Sequence, residues 1–447
     1  MFKHYLLISL LFPLSGFLSA QHVPQGAAPV PAASGPALEA WLKQDAPFWS
    51  WTSESFARET REAGFRSLGA AGEGARAAPP KGTFWGQPAF EVVVRFADDV
   101  PDTVNVSFFN RGDSDQNPTE AEFQDQVRRL MATLTAALGV QPTPGTGNSR
   151  IAMVRDDRWV WQLTELRYEL AFSFTPQRRD GPFRAEFIQL QVKKFKPGDM
   201  PASASTRINP YAVREKIKRD AVSGDVWLEG VPMVDQGPKG YCAAATAERI
   251  MRFFGQDVDQ HQVAQIANTT SAGGTNFEAL RNALQAVGRQ YGFTVNTHLA
   301  WDFKDFKKEI DRYNKNAKRA GKAEIELQTT GVIQIGDVYA KMDAATFQQS
   351  KLEDKAGLGR FQERIQKAID GGCPLAWGVT LGFFPETPAY SGTGGHLRMI
   401  IGYNATKREI IFSDSWGKGH ELKRMPIEQA FTISTSLFTL EPRGLRL

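Results

Sequence analysis

One stretch limits what this chain can fold into more than any other: Asp235-Gln236-Gly237-Pro238-Lys239-Gly240-Tyr241-Cys242-Ala243-Ala244-Ala245-Thr246. A glutamine stands six residues ahead of a cysteine, and two glycines between them permit a tight loop. Apolar residues then recur at Ala243, Ala247, Ile250, Met251 and Phe254, one face of a helix, and Gly255 is a natural stop. The spacing predicts a helix from Ala243 to Phe254 with Cys242 at its N-terminus. A helix N-terminus and a nearby imidazolium are the settings that favour a thiolate, the nucleophilic form of cysteine. Attack on a carbonyl also creates an oxyanion, and two donors are at hand, the Cys242 backbone N–H and the side-chain amide of Gln236. Taken alone, a cysteine beside a glycine turn is more often a buried structural residue.

A nucleophilic cysteine needs a base, and the base needs an orienting group. Downstream, Gly394-Gly395-His396 opens an apolar run to Tyr403, and Ile410 to Phe412 leads into Ser413-Asp414-Ser415-Trp416-Gly417. The order is Cys, His, Asp, with separations of 396 − 242 = 154 and 414 − 396 = 18 positions. His420 is a rival base, but it does not open a strand and lies beyond the tryptophan.

These residues together resemble the papain-like cysteine peptidases, in which a Gln precedes the Cys by six residues, the Cys starts a long helix and the His follows roughly 130–150 residues later. The family's third residue is often the Asn of an Asn-Ser-Trp-Gly run. Aspartate in that place, with the Gln-Gly and Tyr-Cys-Ala-Ala-Ala start, looks more like the bacterial double-glycine (bacteriocin-processing) peptidases and their stand-alone relatives. By position, the resemblance makes Gln236 the oxyanion donor, Cys242 the nucleophile, His396 the base and acid, and Asp414 the orienter. It spans roughly residues 225–447 and implies a peptide or protein substrate and no metal or organic cofactor. An Asn at position 414 would still orient the ring, as the Asn of papain-like relatives does.

Residues 1–20 read as a secretory signal: a basic start at Lys3, an apolar run from Tyr5 to Phe17, and Ala20 before the cut. That places the mature protein outside the cytoplasm, secreted or periplasmic. No later stretch reaches the roughly 18 apolar residues of a spanning helix. A formal charge of +4, or +3 without Lys3, is too small to imply nucleic acid or membrane binding. Two cysteines, Cys242 and Cys373, do not make a disulfide scaffold. A bridge between them is the alternative to Cys373 as a small apolar residue opening a buried strand.

The expected organisation is a signal (1–20), a flexible Ala/Pro/Gly lead-in (21–45), an α+β domain of unassigned role (46–195), a Pro/Ser/Ala linker (196–210) and the catalytic domain (211–447). In the first domain, strands are expected at 91–96, 104–109, 159–163, 166–174 and 186–192, with a helix opened by Asn117-Pro118. In the catalytic domain the cysteine helix, a short helix capped by Asp259, and a capping box at Thr275–Glu278 form a helical half. Strands at 375–380, 396–403, 409–413 and 437–440 form an antiparallel half. Residues 303–355, crowded with Lys and Arg, read as an insertion with a solvated helix face. His261 reads as a core-edge histidine.

The fold class is therefore α+β, a papain-like catalytic domain preceded by a separate α+β domain, with the cleft between the two halves. The function is a secreted cysteine peptidase. The alternatives are transglutaminase- or amidase-type acyl transfer with the same triad, and a non-catalytic binding protein with a relic site. The leading domain fits either restraint of the enzyme or recruitment of substrate.

Overall fold

The computed structural model describes residues 35–69, 72–114, 117–145, 155–177, 181–195, 210–237, 240–256, 258–267, 280–282, 284–285, 292–327, 335–389 and 394–445. The signal, nearly all of the linker, the capping box at 275–278, and Pro238 and Lys239 lie outside the described residues. The chain divides into two compact units, one within 25–204 and the other within 205–447.

The first unit is an antiparallel sheet of eight strands. Its main strands are β1 (Gly74–Ala77), β2 (Glu91–Ala97), β3 (Val100–Asn110), β4 (Arg155–Gln162), β5 (Leu166–Thr175) and β6 (Arg184–Lys194), in the order β1-β2-β3-β6-β5-β4. Arg66–Ser67 and Thr143–Pro144 add a two-residue strand at each edge. Helix α1 (Glu120–Leu138) buries Phe123, Val127, Leu130 and Leu134, one face at the helical period of 3.6 residues. Phe123 meets Phe172, Phe174 and Phe183 at ring separations of 5.8–6.4 Å. The helix starts later than the Asn117-Pro118 signal: Thr119 is the cap, in a reciprocal box with Glu122. Asn117 instead bonds the backbone at Phe183 and Ala185. The flexible lead-in also ends sooner than residue 45. Leu38 and Leu42, four apart in a short 3-10 helix, are buried in this core, and the Leu42 carbonyl accepts from the Tyr168 hydroxyl.

The second unit carries β7 (Ile217–Arg219), β8 (Asp225–Leu228), α2 (Cys242–Phe253), α3 (Gln260–Ile266), β9 (Phe293–Leu299), α4 (Phe303–Ala320), α5 (Ile335–Ala340), α6 (Ala344–Leu352) and α7 (Lys355–Asp370). Then come β10 (Leu375–Leu381), β11 (Gly394–Asn404), β12 (Glu409–Ser413), β13 (Lys423–Pro426), α8 (Ile427–Ile433) and β14 (Ser434–Pro442). The antiparallel sheet runs β7-β8-β11-β10-β14-β9, with β12 on β11 and β13 on β12. Strand β9 precedes the insertion yet joins the sheet beside β14, so the helical and sheet halves are not cleanly successive. The glycine at 402 lets β8 close on β11: a Cβ there would meet the Val226 carbonyl at 2.5 Å.

The charged stretch 303–322 is an amphipathic helix, α4, capped by Asp302 and ended by Gly321 at φ 63°. It buries Phe306, Ile310, Tyr313 and Ala317 against Tyr339, Met342 and Phe347 of the next two helical segments. Phe383, in the loop after β10, packs on the same cluster, 4.9 Å from the Phe347 ring. These helical segments thus share a hydrophobic cluster that also anchors the loop leading to His396.

Candidate active site

Helix α2 is buried on every side, not on one face as its periodicity predicts; even Glu248 and Arg249 are at most 1% exposed. Each is paid for by partners. Glu248 accepts from the Gln260 N–H at 2.6 Å, at the start of α3, and pairs with Arg252 at 3.3 Å. Arg249 donates to the Pro232 carbonyl at 2.8 Å, the Asp414 carbonyl at 2.9 Å and the Ser413 hydroxyl at 2.6 Å. One turn below Cys242, the Thr246 hydroxyl donates to the Leu397 carbonyl at 3.2 Å. The cysteine helix is therefore tied directly to the strand that carries His396 and to the segment that carries Asp414.

Cys242 is the first residue of α2, a free thiol, buried. Before it, Gly237 takes φ 68°, and its N–H donates to Asp235 at 2.8 Å, an Asx-type turn of the kind the sequence implies. Gln236 is held twice by Ser415: its N–H donates to the Ser415 carbonyl at 2.9 Å, and its Oε1 accepts from the Ser415 hydroxyl at 2.7 Å.

His396 is wholly buried in β11, and its Nε2 faces Asp414 Oδ1 at 3.2 Å. Its Nδ1 has no regular hydrogen-bond partner among the described residues, and the Cys242 thiol acts on the ring as a hydrogen-bonding neighbour. Burial opposes charge on the ring, but Asp414 and Cys242 outweigh it and hold the His396 pKa above its ordinary value. Trp416 stacks on the imidazole, with centroids 4.3 Å apart and planes 14° apart, so it covers one face of the ring that Asp414 orients.

The Asp414 carboxylate is more heavily engaged than an orienting group requires. Its Oδ1 also takes Arg398 Nε at 2.9 Å, and its Oδ2 takes Lys423 Nζ at 3.3 Å. Burial pushes its pKa up, but the charges of Arg398, His396 and Lys423 win and hold it well below the usual carboxylate range. Arg398 in turn grips Glu386 with both terminal nitrogens, at 2.8 and 2.9 Å, and Lys423 reaches the same carboxylate at 2.6 Å.

The four positions expected from the sequence thus fall into one site, Gln236 through its Ser415 anchor and the other three in sequence around the imidazole. Arg249, Arg398, Lys423, Glu386 and Ser415 were not singled out. One signal was readable: Arg398 lies two residues from His396 in an apolar strand, so it shares that face and must find an anion. The other partners lie on separate elements, and no spacing joins them. His420 contributes its carbonyl, which accepts from the Asp414 N–H at 2.9 Å, while its ring meets Trp416 edge-on. His261 is buried against Asp259 and the Tyr241 ring. Cys373 is a separate buried free thiol in contact with the Pro374 and Leu440 carbonyls.

A thiol, an imidazole and a carboxylate in series are the groups that a thiol-dependent acyl-transfer site would need. Residues 228–435 match the model of the Peptidase_C39 like family. That segment is related to the papain-like cysteine peptidases, and the enzyme is of the cysteine-peptidase type. Among solved structures, xylellain, a cysteine protease from Xylella fastidiosa, aligns at 14% identity over 54% of this chain and 94% of its own, with a TM-score of 0.24. No curated protein matches the chain. No helix among the described residues is long and apolar enough to cross a membrane.

Proposed function

We propose that the protein is an exported cysteine peptidase that cleaves peptide bonds through Cys242, His396 and Asp414, with Gln236 as an oxyanion donor. The single observation that carries this reading is the placement of His396, with Asp414 on Nε2 and the Cys242 thiol as the ring's other neighbour. In the acylation step Cys242 passes its proton to His396 and its sulfur bonds the substrate carbonyl carbon. The carbonyl electrons move to oxygen, where the Cys242 N–H and the Gln236 amide stabilise them. As the tetrahedral species collapses, the C–N bond breaks and His396 returns the proton to the leaving amine. Water, deprotonated by His396, then attacks the thioester and releases the acid and the thiol. Asp414 keeps the ring in the tautomer and orientation that both half-reactions need.

The export reading rests on the signal-like residues 1–20, and the likeness to double-glycine peptidases rests on Asp414 with the Gln-Gly start. An epoxide or vinyl-sulfone probe tests the site: it labels Cys242, and His396→Ala abolishes labelling. Unlabelled Cys242 in folded wild-type protein removes the proposal.

A further inference from the structure

Arg398, Lys423, Asp414 and Glu386 close a ring in which two cations bridge two carboxylates. The Asp414 carboxylate meets Arg398 at 2.9 Å and Lys423 at 3.3 Å, and the Glu386 carboxylate meets them at 2.8 and 2.6 Å. The four side chains are 0, 2, 0 and 8% exposed for Arg398, Lys423, Asp414 and Glu386, so water screens little of their charge. A single acid suffices to orient an imidazole, and two cations on that acid would leave the buried cluster positive beside His396. Glu386 is the residue that cancels this excess. It sits in the loop between β10 and β11, beside Phe383, which is packed into the core of the insertion.

We infer that Glu386 is a positioning residue that sets the charge balance around the Cys242–His396 pair and thereby the pH range in which the pair is thiolate and imidazolium. The inference rests on the peptidase reading of the same site. The charged and titratable groups gathered around His396 and Asp414 come from several elements, while β10, paired with β11 at His396 through Val379, brings none. They are Cys242 from α2, with Arg249 on the Asp414 carbonyl; Arg398 from its own strand; Asp414 and the Trp416 face after β12; Lys423 from β13; and Glu386 from the loop. His420, next to Asp414, Lys423 and Glu421, is held below its ordinary pKa mainly by burial, so it adds no charge that could replace Glu386.

The signs follow from the potential. Neutralising Glu386 makes the site more positive. The thiolate then forms at lower pH and the imidazolium loses its proton at lower pH, so both limbs of a bell-shaped profile move to acid. Neutralising Lys423 moves both limbs the other way. Removing both leaves Arg398 with Asp414 and restores the balance.

The test uses iodoacetate on the full chain. The Cys242 sulfur forms a bond to the reagent's methylene carbon and iodide leaves. Because the reagent is an anion, its rate rises as the thiolate forms and falls as the imidazolium is lost. Alkylation at Cys242 is followed by mass spectrometry from pH 4 to 10, which requires no substrate. Glu386→Gln is expected to shift both limbs down by about 0.5–1 pH unit, the order expected for one unit charge in a poorly screened site. Lys423→Met shifts them up by a like amount, and Glu386→Gln with Lys423→Met brings them back to the wild-type position. A structural prop would change rates without moving limbs. A wild-type bell that stays in place in all three variants, or a double variant displaced as far as Glu386→Gln, overturns the inference. If Glu386→Gln does not fold, Lys423→Met and the charge-balanced double variant decide it by the same criteria. A wild-type profile with no bell removes the peptidase reading itself, and the inference with it.

Discussion

Arg249→Met should loosen the nucleophile helix more than any other conservative change to its buried face. Arg249 spans three acceptors, the Pro232 carbonyl at 2.8 Å, the Asp414 carbonyl at 2.9 Å and the Ser413 hydroxyl at 2.6 Å. Methionine fills much of the volume, which keeps the cavity term small, but it offers no donor. A hydrogen bond from a charged group is worth about 1.5–3 kcal/mol, and a buried acceptor left bare costs about 1–3 kcal/mol. These terms are not additive. Ser413 also keeps its bond to the His420 carbonyl at 3.2 Å. The expected loss is therefore about 3–5 kcal/mol, the order seen when one partner of a buried ionic contact is removed. Amide hydrogen exchange in α2 reads it locally, where that loss corresponds to roughly 150- to 5000-fold lower protection. Arg249→Lys should recover only part, because a point charge on a single stem does not span three acceptors as a planar fork does. A fall in protection below about 10-fold in the Met variant, or full recovery in the Lys variant, would refute the view that this side chain joins the two parts of the site.

The remaining expectations are simpler. Gln236→Ala lowers kcat by about 10–1000-fold with little loss of stability, and Ser415→Ala gives a smaller loss because it frees the Gln236 carbonyl; unchanged kinetics in Gln236→Ala would reduce that residue to a loop element. Asp414→Asn should be nearly as inactive as Asp414→Ala, and less stable than wild type by about 3–5 kcal/mol, since an amide leaves Arg398 and Lys423 in excess over Glu386; activity well above that of the Ala variant would show that orientation alone decides. Native protein should show one readily titrated thiol and two after denaturation, because Cys373 is buried with its pKa pushed well up; two fast thiols in the native state would contradict this. Asp225, held down chiefly by Arg424, and Asp414 both have pKa values below the ordinary range. Each depressed carboxylate contributes stability that is complete above its unfolded value near 4 and is lost as pH falls through its lower folded value. Urea midpoints should therefore drop as pH falls below about 4, and a midpoint at pH 3 equal to that at pH 5 would remove that linkage.

The elements that were legible are those whose signal is local. Helix α1, the cysteine helix and the strands at 91, 166, 375 and 409 follow from periodicity, and the Asp259 cap is where the sequence placed it. Helix α7 begins at Lys355, six residues before its first buried aromatic, Phe361; Lys355 to Arg360 lack an apolar face, and the start is fixed by Asp354 accepting from the Gly357 N–H at 2.8 Å. Strands β7, β8, β9 and β13 were not foreseen. β7, β8 and β13 are only three or four residues long, too short for alternation to register, and β9 (Phe293–Leu299) mixes Asn, Thr and His with its apolar residues. Their register comes from the sheet they join.

The site divides along the same line. Gln236, Cys242, His396 and Asp414 stand out by residue type and order because the acyl transfer proposed for them admits few substitutes at each position. The charges around them answer a different demand. A buried carboxylate that must stay ionised needs cations, those cations need a second acid, and any element within reach can supply each one. Here β11 supplies Arg398, β13 supplies Lys423 and a loop anchored by Phe383 supplies Glu386. A motif specifies the candidate reacting atoms. The field around them is set by partners that only the folded chain brings together, and in this protein one of them, Glu386, lies in a loop whose Phe383 packs on the helices that follow Phe303.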